Sequence, residues 1–324
     1  MILHKIITFL VSVIIVLFSY SQTKIKNTLK PEINFVNVGN HTELEVLDWG
    51  GKGKPVLLLS GLGATAHIYT DFAPQFTNTF HVYGLTRRGF GKSSQLSSGY
   101  EINTLVHDIV TVIDSLHIKK VILIGHSFAG QEVTKFASSY PERVEKVVYL
   151  DAAYDWTSML TLFGESPEYP STEKDFSSME NDKLYLKKVT GVLFPDDEMR
   201  ASFIFDKDGK YIDNVSPDSI GMAIVKGVER PNYALVNSPA LAIYVRNETV
   251  NDLFPLYSTF DTTNKRKANS HFIVSKKFME TGESAFTKEV KHGKVAEIKG
   301  ANHYIFISNP VETAKLTLKF LFSK

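Results

Sequence analysis

The sequence predicts an α/β fold: a mostly parallel sheet flanked by helices on both faces, with one cap inserted between two of its strands. Three observations lead there. Short continuous apolar runs recur along the chain and stop at turn residues. Stretches with helical periodicity lie between them. The alternation then fails from about Ala152 to Asn237. Apolar runs of this length suit strands buried on both faces of a parallel sheet, and strands alternating with helices make βαβ units.

The elements follow in order. His4 and Lys5 precede an apolar run from Ile6 to Phe18, with small residues at Ser19 and Ser21. This is the layout of a secretory signal peptide cut after Ser21, and the run is shorter than the ~20 residues a spanning helix needs. An uncleaved N-terminal membrane anchor is the alternative. A polar linker, Thr23 to Pro31, leads to alternating runs at Ile33–Val38 and Leu44–Trp49, read as a hairpin around Gly39-Asn40. Buried strands are expected at Pro55–Ser60, His81–Leu85, Lys120–Gly125, Lys146–Leu150, Ala240–Val245 and Lys294–Ile298. Helices are expected at Ile102–Leu116, Phe128–Ser139 and Val311–Phe322, the first from apolar residues at 102, 105, 109, 112, 113 and 116. Inside the inserted segment, Ala201–Phe205 and Tyr211–Val215 read as a hairpin turning at Asp208-Gly209. The organisation is therefore a leader (1–21), a core from 22–151 and 238–324, and a cap at 152–237.

Bulk composition narrows the function. The 324 residues carry 43% hydrophobic and 22% charged side chains with a net charge of +1. That balance is ordinary for a globular protein and leaves no electrostatic footprint for nucleic acid. No stable membrane insertion of the mature chain is expected. There are no cysteines, which excludes disulfides, thiolate metal sites and a cysteine nucleophile. The sequence lacks H-E-x-x-H and any G-x-G-x-x-G after a strand, so no metal or nucleotide cofactor is inferred. The partner expected is a small-molecule substrate; oligomeric state is not legible.

Two motifs carry chemistry. Gly125-His126-Ser127-Phe128-Ala129-Gly130 stands directly after a buried strand and before a helix. A nucleophile there sits on a sharp turn that needs small neighbours, with the helix N-terminus facing developing negative charge. Gly300-Ala301-Asn302-His303 follows the last strand, where an imidazole can serve Ser127 as base and later protonate the leaving group.

With these residues the chain resembles the α/β-hydrolase superfamily of esterases and lipases, over roughly 33–151 and 238–322. Thr86-Arg87-Arg88-Gly89-Phe90-Gly91-Lys92-Ser93-Ser94 is similar to that family's D-x-R-G-x-G-x-S turn, which is structural, so Arg88 is expected in a buried ion pair or hydrogen bond. Thr86 stands where the turn usually has aspartate, Ala129 where the elbow has a second glycine, and Ser60 where a histidine often opens the oxyanion loop. The resemblance implies an oxyanion hole from the backbone N–H groups of Leu62, in Ser60-Gly61-Leu62-Gly63, and Phe128. It also implies a carboxylate for His303. The usual slot, after the strand that follows the cap, falls on Glu248, with Asp252 further along. A minority slot, at the end of the strand preceding the cap, falls on Asp151. Both are occupied; Glu248 is favoured.

The expected activity is hydrolysis of a small or medium acyl or aromatic ester through an acyl-enzyme on Ser127. A serine at the elbow argues against haloalkane dehalogenase or epoxide hydrolase chemistry, which needs an aspartate there. Alternatives are a cofactor-free haloperoxidase or perhydrolase, an amide or C–C bond hydrolase, and a catalytically silent ligand-binding protein. Seven cap aromatics, Tyr154, Trp156, Phe163, Tyr169, Phe176, Tyr185 and Phe194, are candidates for an apolar pocket or for the cap's own core.

Overall fold

The computed structural model describes residues 29–158 and 166–323; the expected leader and Phe163 lie outside the described residues. Strands β1 (Glu32–Asn37), β2 (Glu43–Gly50), β3 (Pro55–Leu59) and β4 (His81–Leu85) come first. Helix α1 (Ile102–Ser115), β5 (Val121–His126), α2 (Ala129–Ser139) and β6 (Val144–Leu150) follow. The inserted segment holds α3 (Met179–Thr190), α4 (Asp196–Ser202), the β7–β8 hairpin (Phe203–Phe205, Tyr211–Asn214) and α5 (Asp218–Lys226). Then come β9 (Ala240–Arg246), α6 (Thr262–Glu289), β10 (Gly293–Lys299) and α7 (Pro310–Phe322).

Eight strands make one sheet in the order β1-β2-β4-β3-β5-β6-β9-β10, antiparallel at β1–β2 and β2–β4 and parallel from β4 onward. The chain runs outward from β3 to β4, then crosses back to β5 on β3's other side. That reversal opens a crevice at the carboxyl ends of β3 and β5.

The apolar runs are continuous because both faces of the central strands are covered. Leu57, Leu123, Val147, Tyr149 and Tyr244 enter one core cluster; Val56, Leu58, Ile122, Ile124, Val148, Leu150 and Ile243 enter the other. Each fully buried aliphatic contributes about 1.5–3 kcal/mol, so a polar residue anywhere in these runs would be costly. β10 differs: as the edge strand it buries only Ile298 fully.

Two elements depart from expectation. Ala201 and Ser202 close α4 instead of opening the hairpin, which turns at Gly209 with φ +85°. Helix α6, 28 residues long, was not anticipated. Its fully buried positions are Ala268, Ser275, Gly282 and Phe286, mostly small residues that leave no large apolar stripe in the sequence.

Candidate active site

The turn that carries Ser127 is built by close approaches. Ser127, one residue past β5, has φ +54°, a left-handed conformation that costs a non-glycine residue energy and persists only where the surroundings enforce it. Its N–H donates to the Leu150 carbonyl at 3.2 Å, tying the turn to β6. A Cβ on Gly130 would sit 1.8 Å from the Ala152 carbonyl oxygen, and one on Gly125 2.7 Å from Val133 Cγ2. Small residues in the elbow therefore let α2 start directly against β5 and the β6 terminus. Phe128 precedes α2 with helical dihedrals.

His303 follows β10, after Gly300 at φ +67°. Its Nε2 lies 2.9 Å from Ser127 Oγ and its Nδ1 2.6 Å from Asp151 Oδ2. The imidazole is about a third exposed, at 36%, whereas the Asp151 side chain is buried at 3%. Asp151 is itself left-handed, with φ +48°, and its N–H donates to the Ile243 carbonyl at 2.8 Å. Its other oxygen, Oδ1, accepts the Val245 N–H at 3.2 Å and the Tyr154 hydroxyl. Burial pushes the Tyr154 phenol well above its ordinary range, with the Asp151 charge adding to the effect, so Tyr154 remains a donor. One carboxylate oxygen is held by two donors and the other faces the imidazole.

Glu248, favoured from its sequence position, is not brought to His303. It is exposed, and its N–H donates to Asp252 Oδ2 at 2.9 Å. Thr249 and Asp252 form a reciprocal cap on the single helical turn Val250–Leu253, which fixes the loop beyond β9. The Glu248 side chain borders an open cleft with Arg246, Lys276, Glu280 and Glu283, and neither Ser127 nor His303 lines it. The structure thus joins Ser127, His303 and Asp151 and leaves Glu248 and Asp252 apart.

His126 has a part that the motif alone did not reveal. Burial, then the neighbouring His303, holds its pKa well below the ordinary 6.5. The neutral ring donates from Nε2 to the His303 carbonyl at 3.1 Å, fixing the backbone that carries the His303 imidazole.

The loop after β3 faces the elbow. A Cβ on Gly61 would lie 3.1 Å from both Ser127 Cβ and His126 Nδ1, so glycine lets the two turns meet without crowding. Ser60, in place of the family's histidine, closes this loop by donating from Oγ to the Ala64 carbonyl at 2.8 Å. The Leu62 and Phe128 amides have no acceptor among the described residues. In the turn after β4, Arg88 forms a bidentate pair with Asp108, as anticipated, and Arg87 pairs with Glu132.

The inserted segment is docked on both loops. Glu198 of α4 is buried and accepts the Thr65 N–H at 3.0 Å and hydroxyl at 2.5 Å, just past the loop after β3. Asn302, beside His303, donates to the Thr190 carbonyl at 2.5 Å. Its aromatics divide: Trp156 packs near Phe128, Phe194 on Tyr304, and Phe176 on Tyr185, while Tyr169 joins Phe254 and Phe260 elsewhere. No group of three or more metal-ligating side chains is assembled among the described residues, and none of their helices is long and apolar enough to cross a membrane.

Residues 54–209 match the family described as alpha/beta hydrolase fold. A putative non-heme chloroperoxidase of Synechocystis sp. is 34% identical over 102 residues, 31% of this chain and 37% of that one. Epoxide hydrolase 4 of Mus musculus is 28% identical over 189 residues, 49% of this chain and 52% of that one. The chain therefore spans about half or less of the length of these relatives. Among solved structures, E-2-(acetamidomethylene)succinate hydrolase superposes with a TM-score of 0.65 at 19% identity, covering 90% of this chain and 100% of that one. At that identity the likeness is one of fold. Sheet order, family match and superposition agree on the architecture: the chain has the α/β-hydrolase fold, and residues 54–209 match that family.

Proposed function

We propose that the chain is a serine hydrolase that cleaves carboxylic esters, with Ser127 as nucleophile, His303 as base and Asp151 as the acid that orients it. The observation carrying this reading is the unbroken chain Asp151 Oδ2–His303–Ser127 Oγ, in steps of 2.6 and 2.9 Å. Asp151 holds the proton on Nδ1, leaving Nε2 free to take the Ser127 proton as Oγ attacks the ester carbonyl. The oxyanion that forms would meet the Leu62 and Phe128 amides, donors that need no reorganisation during the reaction. His303 then protonates the leaving alkoxide, giving an acyl-serine and free alcohol. A water molecule, deprotonated by the same nitrogen, cleaves the acyl-serine to acid and restores Ser127.

Hydrolytic epoxide opening does not fit, despite the mouse relative, because it proceeds through an alkyl ester on an elbow carboxylate. The Synechocystis relative favours a second reading: hydrogen peroxide in place of water would release a peracid, which oxidises halide. Residues 1–21 would direct export, giving a mature chain that starts at Gln22.

Fluorophosphonate treatment followed by peptide mass spectrometry tests the main reading. Ser127 should carry the adduct, and His303→Ala should abolish it. Folded protein that leaves Ser127 unlabelled would refute the assignment. Ester cleavage measured beside peroxide-dependent halogenation separates the two readings.

A further inference from the structure

We propose that Arg87, clamped by Glu132, is a positioning residue for the oxyanion hole. The inference rests on the serine-hydrolase reading and adds to it a device outside the triad.

Arg87 and Glu132 are both buried. Arg87 Nε donates to Glu132 Oε1 and Nη2 to Oε2, both at 2.6 Å, a bidentate pair. Glu132 lies in the first turn of α2, the helix that follows Ser127. The far side of the guanidinium meets the loop after β3: Nη2 donates to the Ser60 carbonyl at 2.8 Å and Nη1 to the Gly61 carbonyl at 3.3 Å. Its carbon also lies 5.7 Å from the centre of the Phe128 ring. One planar cation thus joins the nucleophile helix to the oxyanion loop and touches the side chain of the second donor residue.

The peptide geometry gives this contact its consequence. The Gly61 carbonyl and the Leu62 N–H belong to one peptide unit, and in a trans peptide they point in opposite directions. The Ala64 N–H reaches the same carbonyl, at 3.4 Å. Holding that oxygen toward Arg87 turns the Leu62 N–H the other way and polarises it as a donor. Glu132 fixes the guanidinium plane, so the loop cannot rotate without breaking the hydrogen bonds from a held, buried cation to the Ser60 and Gly61 carbonyls. A lysine would keep the charge but, as a single nitrogen on a flexible stem, lacks the fork that spans both carbonyls and the carboxylate.

The adjacent pair supplies a matched control. Arg88 makes the same bidentate contact with Asp108, and its remaining bond goes to the Gly99 carbonyl, away from the oxyanion loop. Arg87→Lys and Arg88→Lys are therefore compared for p-nitrophenyl acetate hydrolysis, normalised to the fraction of Ser127 that a fluorophosphonate titrates. Deleting one oxyanion donor costs about 10²–10³ in turnover; misaligning it should cost Arg87→Lys about 10–100-fold in kcat. KM should stay within about threefold, the acid limb of the pH profile should not move, and Arg88→Lys should retain wild-type kcat. An Arg87→Met/Glu132→Met double variant, which leaves no unpaired buried charge, should show the same kcat loss if the lysine variant does not fold. The proposal is overturned if folded Arg87 variants keep kcat within about threefold, if the loss falls on KM alone, or if Arg88→Lys loses as much. Wild-type protein whose Ser127 fails to label would overturn the hydrolase reading and this proposal together; a labelled wild type with unaffected variants overturns this one alone.

Discussion

Replacing Asp151 with asparagine should abolish nearly all turnover, and the structure dictates how. The two oxygens of Asp151 have different neighbours: Oδ1 accepts the Val245 N–H and the Tyr154 hydroxyl, and Oδ2 faces His303 Nδ1. In Asp151→Asn the amide oxygen must stay toward the two donors, because turning the NH2 group that way would set donor against donor. The NH2 group therefore faces Nδ1 and donates to it. The imidazole proton moves to Nε2, where it points at Ser127 Oγ and no base remains. Wrong-tautomer variants of such triads lose about 10⁴ in kcat, equivalent to about 5.4 kcal/mol of barrier at 1.36 kcal/mol per decade. Asparagine keeps the contacts to Val245 and Tyr154, so the fold should survive. Asp151→Ala would orphan both donors at about 1–3 kcal/mol each and confuse stability with chemistry. Ester hydrolysis and fluorophosphonate labelling of Asp151→Asn and Glu248→Gln, with circular dichroism as the folding check, decide the matter. Asp151→Asn within tenfold of wild type, or Glu248→Gln as damaging, would refute the assignment.

Three further outcomes follow from the same contacts. Tyr154→Phe removes one donor from the buried Asp151 carboxylate and should cost about 1.5–3 kcal/mol, the worth of a hydrogen bond to a charged group, read by thermal denaturation alongside a fall in kcat. Burial raises the Glu198 pKa above its ordinary 4.5 in the folded state, so the folded protein holds this proton longer than the unfolded chain. Stability should fall as pH rises from about 4.5 through the raised value, and Glu198→Gln should remove that part of the slope in melting curves; an unchanged slope counts against the buried latch. Gly282→Ala would place a Cβ 2.6 Å from Tyr154 Cδ1 and 2.8 Å from the Ala153 oxygen. It should destabilise by about 1–3 kcal/mol through overpacking, with lower kcat because Tyr154 supports Asp151.

What was legible in the sequence follows from which contacts are local. Runs such as Val56–Leu59 and Ile122–Ile124 show their burial directly, since every residue in them is covered on one face or the other. Ser127 and His303 stand at strand ends marked by small residues, and both were legible. Helix α6 was not, because Ala268, Ser275 and Gly282 bring it close by being small, which no apolar pattern reports. Tyr154 stands in the sequence as one cap aromatic among seven, whereas its hydroxyl holds Asp151. Arg87 carries no signal of its own, because the motif gives the structural part to Arg88 and its partner Glu132 lies on a separate element.

The choice of acid turns on sheet register. Asp151 and Glu248 both fall between Ser127 and His303, so chain order cannot separate them. β6 stops at Leu150, paired with Ile243, while β9 continues to Arg246 by pairing with β10. Asp151 therefore turns at a level where β9 is still extended and offers the Val245 N–H to the carboxylate. Glu248 begins beyond the end of that extension, in a loop that Asp252 pins for its own helical turn. The overshoot of β9 past β6 thus puts one carboxylate beside the imidazole and carries the other past it. Cross-strand pairing sets that overshoot, and a count of residues from the start of β9 does not contain it.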